Sequence, residues 1–217
     1  MIFTFDAAVV AGCLLFFVVV NLHNLLLYHA GFSATSQNAD VERPMATPLL
    51  LAIMGTAVFF FESILYIFLG FSNRPFPLSS GMTQANLESF GMFVMVVGYA
   101  IFLWSVLARG RYATSWQMPA DHILVDWGPY RYVRHPSYLG YFLMFIGFLF
   151  LSQSVLALAS LIAIPGYALI TRREEEMLVS KFGDRYLRYQ TSVGRFLPSV
   201  LVCKSARRIA NRIYNER

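Results

Sequence analysis

Cysteine, charge and phosphate-binding glycine patterns are all scarce in this sequence, and each shortage excludes something. Only Cys13 and Cys203 occur in 217 residues. Two thiols so far apart make neither a disulfide framework nor a zinc-ligand spacing. Fourteen glycines are present, yet no Gly-x-Gly occurs anywhere, so the dinucleotide-type phosphate loop is missing. Charged residues make up 13% of the chain, against about 25% in soluble domains. What fills the space is apolar: 57% hydrophobic, with 20 Phe, 12 Tyr and 9 Met. That composition excludes intrinsic disorder, because so much apolar surface does not stay solvated, and it argues against a soluble enzyme. The net charge of +5 does not point to nucleic acid, because the basic residues are unevenly placed. Fifteen of the 17 Lys and Arg lie at or after Arg109, and only Arg43 and Arg74 precede it. In a membrane protein such asymmetry reads first as topology.

Long apolar stretches set the fold. Ala7–Tyr28, Ala46–Gly70 and Phe90–Ala108 each approach the roughly 20 residues that span a hydrocarbon core as a helix. Tyr138–Leu151 and Ser154–Ile170 are shorter and separated by Ser152 and Gln153 alone, which predicts an antiparallel helical hairpin. The expectation is an all-α, multi-pass integral membrane protein with about five transmembrane helices, the last two a short hairpin, followed by C-terminal cytoplasmic helices. Asp6 and the length of the first stretch set it apart from a signal peptide. Five crossings place the 30–45 loop, residues 109–137 and the C-terminus together, with 16 basic residues, against Arg74 alone on the other side. The basic side is then cytoplasmic and the N-terminus outside. Three parts are expected: residues 1–108, residues 109–198, and a basic amphipathic tail, 199–217, suited to anionic headgroups.

Polar residues concentrate in two places. The run Gly128-Pro129-Tyr130-Arg131-Tyr132-Val133-Arg134-His135-Pro136-Ser137-Tyr138 precedes the fourth helix, with Pro136 suited to its first turn. Arg172-Arg173-Glu174-Glu175-Glu176 follows the fifth. A hairpin goes out and comes back, so the two clusters meet at one membrane face and form a candidate site. Successive helical residues point about 100° apart, so one or two of the three glutamates enter one pocket. His23 and Glu62 interrupt apolar helices, where ionisable groups are expensive; a hydrogen bond between helices is their plainest role.

These residues carry a resemblance. Gly-Pro-Tyr-x3-Arg-His-Pro-x-Tyr-x-Gly, from Gly128 to Gly140, resembles a signature of the isoprenylcysteine carboxyl methyltransferase family, especially its short prokaryotic members. So does Glu-Glu-x2-Leu-x3-Phe-Gly-x2-Tyr-x2-Tyr, from Glu174 to Tyr189, and the ending Gly194-Arg195-Phe196-Leu197-Pro198. The resemblance covers about Ser115 to Pro198. It implies a membrane methyltransferase that uses S-adenosylmethionine without a dinucleotide-binding domain, residues 109–198 being its catalytic core and 1–108 a substrate entrance. It nominates His122, Ile123, Leu124, Val125, Tyr130, His135, Pro136, Ser137, Tyr138, Glu174 and Glu175 as cofactor ligands, with Arg134, Glu174 and Tyr138 as catalytic. Some relatives carry Arg four residues before the first Glu of the pair. Here that position is Ile170, so Arg172 and Arg173 become the candidates for holding a substrate carboxylate.

Methyl transfer from a sulfonium needs positioning rather than a metal or a covalent intermediate. The implied acceptor is a prenylated cysteine carboxylate or another lipophilic molecule. Phospholipid amines and small thiols are alternatives within related enzymes. Arg134 could hold a cofactor carboxylate, a substrate carboxylate or a lipid phosphate. A membrane sterol-type reductase using NADPH has a similar Arg-His-Pro element, but glutamates beside a 2′-phosphate would repel it. A non-enzymatic membrane scaffold is the remaining class.

Overall fold

The computed structural model describes residues 5–29, 46–69, 82–112 and 123–199. His122 and the 199–217 tail after Ser199 lie outside the described residues, as does the side chain of His23. The described chain is helical: α1 (Phe5–His29), α2 (Ala46–Leu69), α3 (Met82–Arg109), α4 (Pro136–Ser152), α5 (Val155–Ser160), α6 (Ala163–Phe182) and α7 (Asp184–Ser192), with single 3₁₀ turns at Gly110–Tyr112 and Gly128–Arg131. Ala46–Phe68, Gln84–Arg109 and Val155–Phe182 are long and apolar enough to cross a membrane, while Phe5–Val20 and Pro136–Ser152 are apolar but shorter. The five expected apolar stretches therefore all fold as helix, and the protein is an all-α integral membrane protein.

The fifth stretch departs from expectation in two ways. It breaks at Leu161 and Ile162, between α5 and α6. Pro165 explains the break: it cannot donate to the carbonyl four residues earlier, that of Leu161, and its ring crowds that carbonyl. Beyond the break, α6 does not stop where the composition changes at Ile170. No helix breaker occurs between Ile170 and Gly183, so the charged residues Arg172 to Glu176 continue the same helix. Gly183, at φ 52°, then ends it and allows α7 to start in a new direction.

The chain divides into two compact units. The first comprises residues 1–100 and 140–170. Its hairpin turn is Gln153–Ser154, where Gln153 takes φ 51° and the Ser154 hydroxyl caps α5 by accepting from Ala157 N–H at 3.0 Å. Tyr141 on α4 and Tyr167 on α6 stack with ring centroids 5.3 Å apart, as an antiparallel return requires. Helices α3 and α4 approach through Gly91 and Gly147. A Cβ on Gly91 would stand 2.6 Å from the carbonyl oxygen of Gly147, and one on Gly147 would collide with the backbone of Met95. Without a hydrophobic drive between helices in lipid, this close backbone contact is what holds them together. Phe59 of α2 packs edge-on against Phe145 and Phe148 of α4 at 5.1 and 5.2 Å. Leu15, Met54 and Phe93 point outward and are exposed, which suits lipid rather than water. A small apolar cavity is lined by Phe17, Thr56, Phe60, Met95, Tyr141 and Tyr167, among others.

The second unit comprises residues 101–139 and those from Thr171 onward. It gathers the end of α3, the 123–135 segment, the start of α4, the charged half of α6, α7 and the strap that follows α7. The strap pairs with the segment before α4: Arg134 N–H donates to the Gly194 carbonyl at 2.8 Å, and His135 N–H to that of Arg195 at 3.1 Å.

Candidate active site

Pro136 at the first position of α4 fixes where that helix begins, so His135 sits just before its N-terminus and Tyr138 within its first turn. The uninterrupted α6 presents Glu174 and Glu175 36 to 41 residues later to those side chains. The hairpin thus brings the two polar motifs together, as the sequence predicts. Glu174 and Glu175 are both buried, and Glu176 is exposed.

The two carboxylates are used differently. Glu175 Oε1 accepts from Arg134 Nε at 2.8 Å, His135 Nε2 at 3.1 Å and Arg195 Nε at 3.1 Å. Its Oε2 accepts from Gln190 Nε2 at 3.2 Å and from Arg195 Nη2. Glu174 is less occupied. Tyr138 OH donates to its Oε1 at 2.6 Å, and its Oε2 faces His135 Nδ1 at 3.5 Å, too long for a strong hydrogen bond. His135 lies between the pair. Burial pushes its pKa down, against the opposing pull of the Glu175 hydrogen bond, so the ring is neutral at pH 7. A neutral imidazole has one N–H, and the shorter contact assigns it to Glu175.

The remaining candidates sort by what already holds them. Arg134, nominated as catalytic, is committed: its Nη1 also donates to the carbonyls of Gln190, at 3.1 Å, and Val193, so it ties Glu175 to the end of α7. Ser137 is tied as well. The Ser105 hydroxyl donates to the Phe102 carbonyl at 2.7 Å, so at the 2.7 Å Ser105–Ser137 contact it is Ser137 that donates. Tyr130 offers its carbonyl to Tyr189 OH at 2.5 Å. Leu124, Val125 and Pro136 are buried, whereas Ile123 is exposed. Arg172 is exposed and Arg173 half-buried.

Three residues near the cluster were not among those nominated. Arg195 grips Glu175 with two nitrogens; its signal was the Gly-Arg-Phe-Leu-Pro ending, noted as a motif but given no role. Gln190 bonds the same carboxylate, and nothing in the sequence marks it. Tyr186 is fully buried, its phenol pushed to higher pKa by that burial; a tyrosine in so charged a stretch reads more readily as an interfacial anchor.

Comparison with known proteins covers the same region. Residues 87–185 match the family model described as phospholipid methyltransferase. The chain is similar to a protein-S-isoprenylcysteine O-methyltransferase of Tribolium castaneum, 31% identical over 125 residues, or 52% of this chain and 42% of that protein. It is also similar to a methanethiol S-methyltransferase of Pseudomonas deceptionensis, 42% identical over 74 residues, 33% of this chain and 27% of that one. A solved structure of the eukaryotic intramembrane Ras methyltransferase ICMT overlaps 83% of this chain and 62% of its own at TM-score 0.49 and 23% identity, a likeness too loose to transfer geometry. In each case this chain covers less than two thirds of the relative's length. The matched residues 87–185 include both polar motifs up to the start of α7.

Proposed function

We propose that this protein is an integral membrane methyltransferase dependent on S-adenosylmethionine, acting on the carboxylate of an isoprenylcysteine-type or other lipophilic acceptor at the cytoplasmic face. The observation that carries this reading is the buried cluster in which Tyr138, His135 and Glu174 meet beside Glu175, inside the segment that matches the family. The excess of basic residues from Arg109 onward supports a cytoplasmic C-terminus and an outward N-terminus across five helices. The first unit's cavity has an almost wholly apolar lining, which is compatible with a lipophilic group.

The donor set suits this cofactor. Glu174 offers a carboxylate edge to an ammonium or sulfonium, and Tyr130 and Tyr138 offer rings for packing an adenine. When bound, S-adenosylmethionine supplies a methyl group on an excellent leaving group. The chain's own residues then position and exclude water. Glu175, fixed from four directions, holds the imidazole of His135 in place. Tyr138 orients Glu174 through its 2.6 Å bond. An anionic carboxylate or thiolate acceptor asks for no proton removal, consistent with a cluster that has no solvent-facing base. Thiol S-methylation is the second reading, favoured by the 42% identity to the methanethiol enzyme.

Calorimetric titration of the detergent-purified chain with S-adenosylhomocysteine and with NADPH tests the class. Micromolar binding of the first, followed by radiolabelled methyl transfer to a prenylcysteine but not to methanethiol, is the expected result. Transfer to the thiol alone moves the acceptor to the second reading. NADPH binding alone makes the protein a reductase, and silence from both in a folded sample makes it a scaffold.

A further inference from the structure

The cluster contains two guanidiniums on one carboxylate, and they are not equivalent. Arg134 is 11% exposed and has directed its donors to Glu175 and to two backbone carbonyls. Arg195 is 33% exposed. Its Nε and Nη2 both face Glu175, which leaves Nη1 without a partner among the described residues. Glu175 is therefore outnumbered two to one by the guanidiniums it touches, and the surplus charge lies on the side chain with an open edge. The position of that edge is fixed. The strap is paired to the segment before α4 through Gly194 and Arg195, and Phe196 stacks near His135 with ring centroids 6.0 Å apart. An arginine pinned on one edge by a carboxylate has lost its rotamer freedom before any ligand arrives, so a second planar anion binds its other edge at little entropic cost.

Glu174 narrows the anion. It lies one residue from Glu175, with His135 between the two carboxylates, and burial pushes its pKa up to about 8, so a cation arriving beside it favours its ionised form. A carboxylate flanked by a cationic nitrogen, as in an α-amino acid, meets Arg195 with its anion and Glu174 with its cation. We propose that Arg195 is a ligand-binding residue that takes a carboxylate of an α-amino-acid group. It thereby does what sequence reasoning assigned to Arg172 and Arg173, in a chain with Ile170 where some relatives place an arginine. The assignment rests on the methyltransferase reading, in which such a group occurs on the cofactor and its carboxylate also on a cysteine-derived acceptor.

Two adenosine compounds that differ in that group supply the test. S-adenosylhomocysteine carries the amino-acid end, and 5′-methylthioadenosine lacks it. The full chain in detergent is titrated with each, as wild type, Arg195→Gln and Arg195→Lys. The expected result is tighter wild-type binding of S-adenosylhomocysteine, weakened at least tenfold in Arg195→Gln and partly restored in Arg195→Lys. Methylthioadenosine affinity should be unchanged throughout, which also shows that the variants are folded. If S-adenosylhomocysteine affinity survives in Arg195→Gln while KM for a prenylcysteine acceptor rises tenfold, the carboxylate is the acceptor's and the assignment stands. Equal weakening of both adenosine compounds, or no change in either affinity and in KM, overturns it and leaves Arg195 a brace for Glu175. A wild type that binds both compounds equally, with KM unmoved by the substitution, overturns the assignment alone. A folded wild type that binds neither overturns the methyltransferase reading and the assignment with it.

Discussion

Glu62 in the first unit and Glu175 in the second are both buried, at 1% and 4% exposure, in settings of opposite construction. Glu62 accepts from the Ser154 hydroxyl on Oε1, and its Oε2 is buried without a partner among the described residues. Glu175 has donors on both oxygens, two of them guanidiniums. Burying a carboxylate costs several kcal/mol, which neutral hydroxyls do not offset and paired cations can. The two glutamates therefore fill different places. At position 62 the fold needs a hydrogen-bonding group that joins α2 to the hairpin turn, a task an amide can perform. At position 175 it needs a charge.

The largest effect should come from removing that charge. Glu175→Gln leaves Arg134 and Arg195 facing a neutral group, and we expect a loss of about 3–5 kcal/mol, the scale for breaking a buried pair from one side. Thermal unfolding in detergent measures it; a Tm unchanged from wild type would show that the guanidiniums find other partners. Glu62→Gln should cost less than about 1 kcal/mol. Ser154→Ala should cost more, about 2 kcal/mol, because it removes both the α5 cap and the donor to Glu62. If instead Glu62→Gln is the more damaging of the two, the carboxylate is needed as a charge and the contrast with Glu175 fails.

The difference between the two units also explains what was legible in the sequence. Apolar length marked where the described apolar helices fold, because the period and span of a helix in lipid leave little choice. It did not find the break before Pro165, which depends on one missing donor; the charged residues from Thr171 to Tyr189, helical in pattern, do fold as the rest of α6 and as α7. In the second unit the Arg-His-Pro and Glu-Glu motifs marked where chemistry gathers. They could not say which glutamate would be consumed by arginines. That depends on Arg195 and Gln190, which reach Glu175 from a strap and a short helix 15 to 20 residues further on. Sequence spacing carried no trace of that partition between a fully bonded Glu175 and a less occupied Glu174.

The partition is itself testable at smaller scale. Glu174→Gln should leave stability within about 1 kcal/mol of wild type, since the amide keeps an acceptor for Tyr138 and loses a weak contact with His135. It should nevertheless weaken S-adenosylhomocysteine at least tenfold by calorimetry. The reverse pattern, lost stability with retained affinity, would exchange the roles of the two glutamates.

The smallest expected effect concerns His135. Burial holds its pKa below the ordinary value of 6.5, so the unfolded chain binds a proton more readily than the folded one. The stability this contributes is fully present above pH 6.5 and is lost as pH falls through the depressed folded value. The slope in that window approaches at most about 1.4 kcal/mol per pH unit for one proton. Glu174, whose pKa burial raises to about 8, contributes a slope of the opposite sign in the same window, so the comparison with a variant at position 135 isolates the histidine. Unfolding curves between pH 7.5 and pH 5.5 should therefore fall more steeply for wild type than for His135→Gln, which retains an N–H for Glu175 but cannot titrate. Parallel curves would mean that His135 accepts its proton as readily in the folded chain as in the unfolded one, with Glu174 and Glu175 on either side compensating the imidazolium.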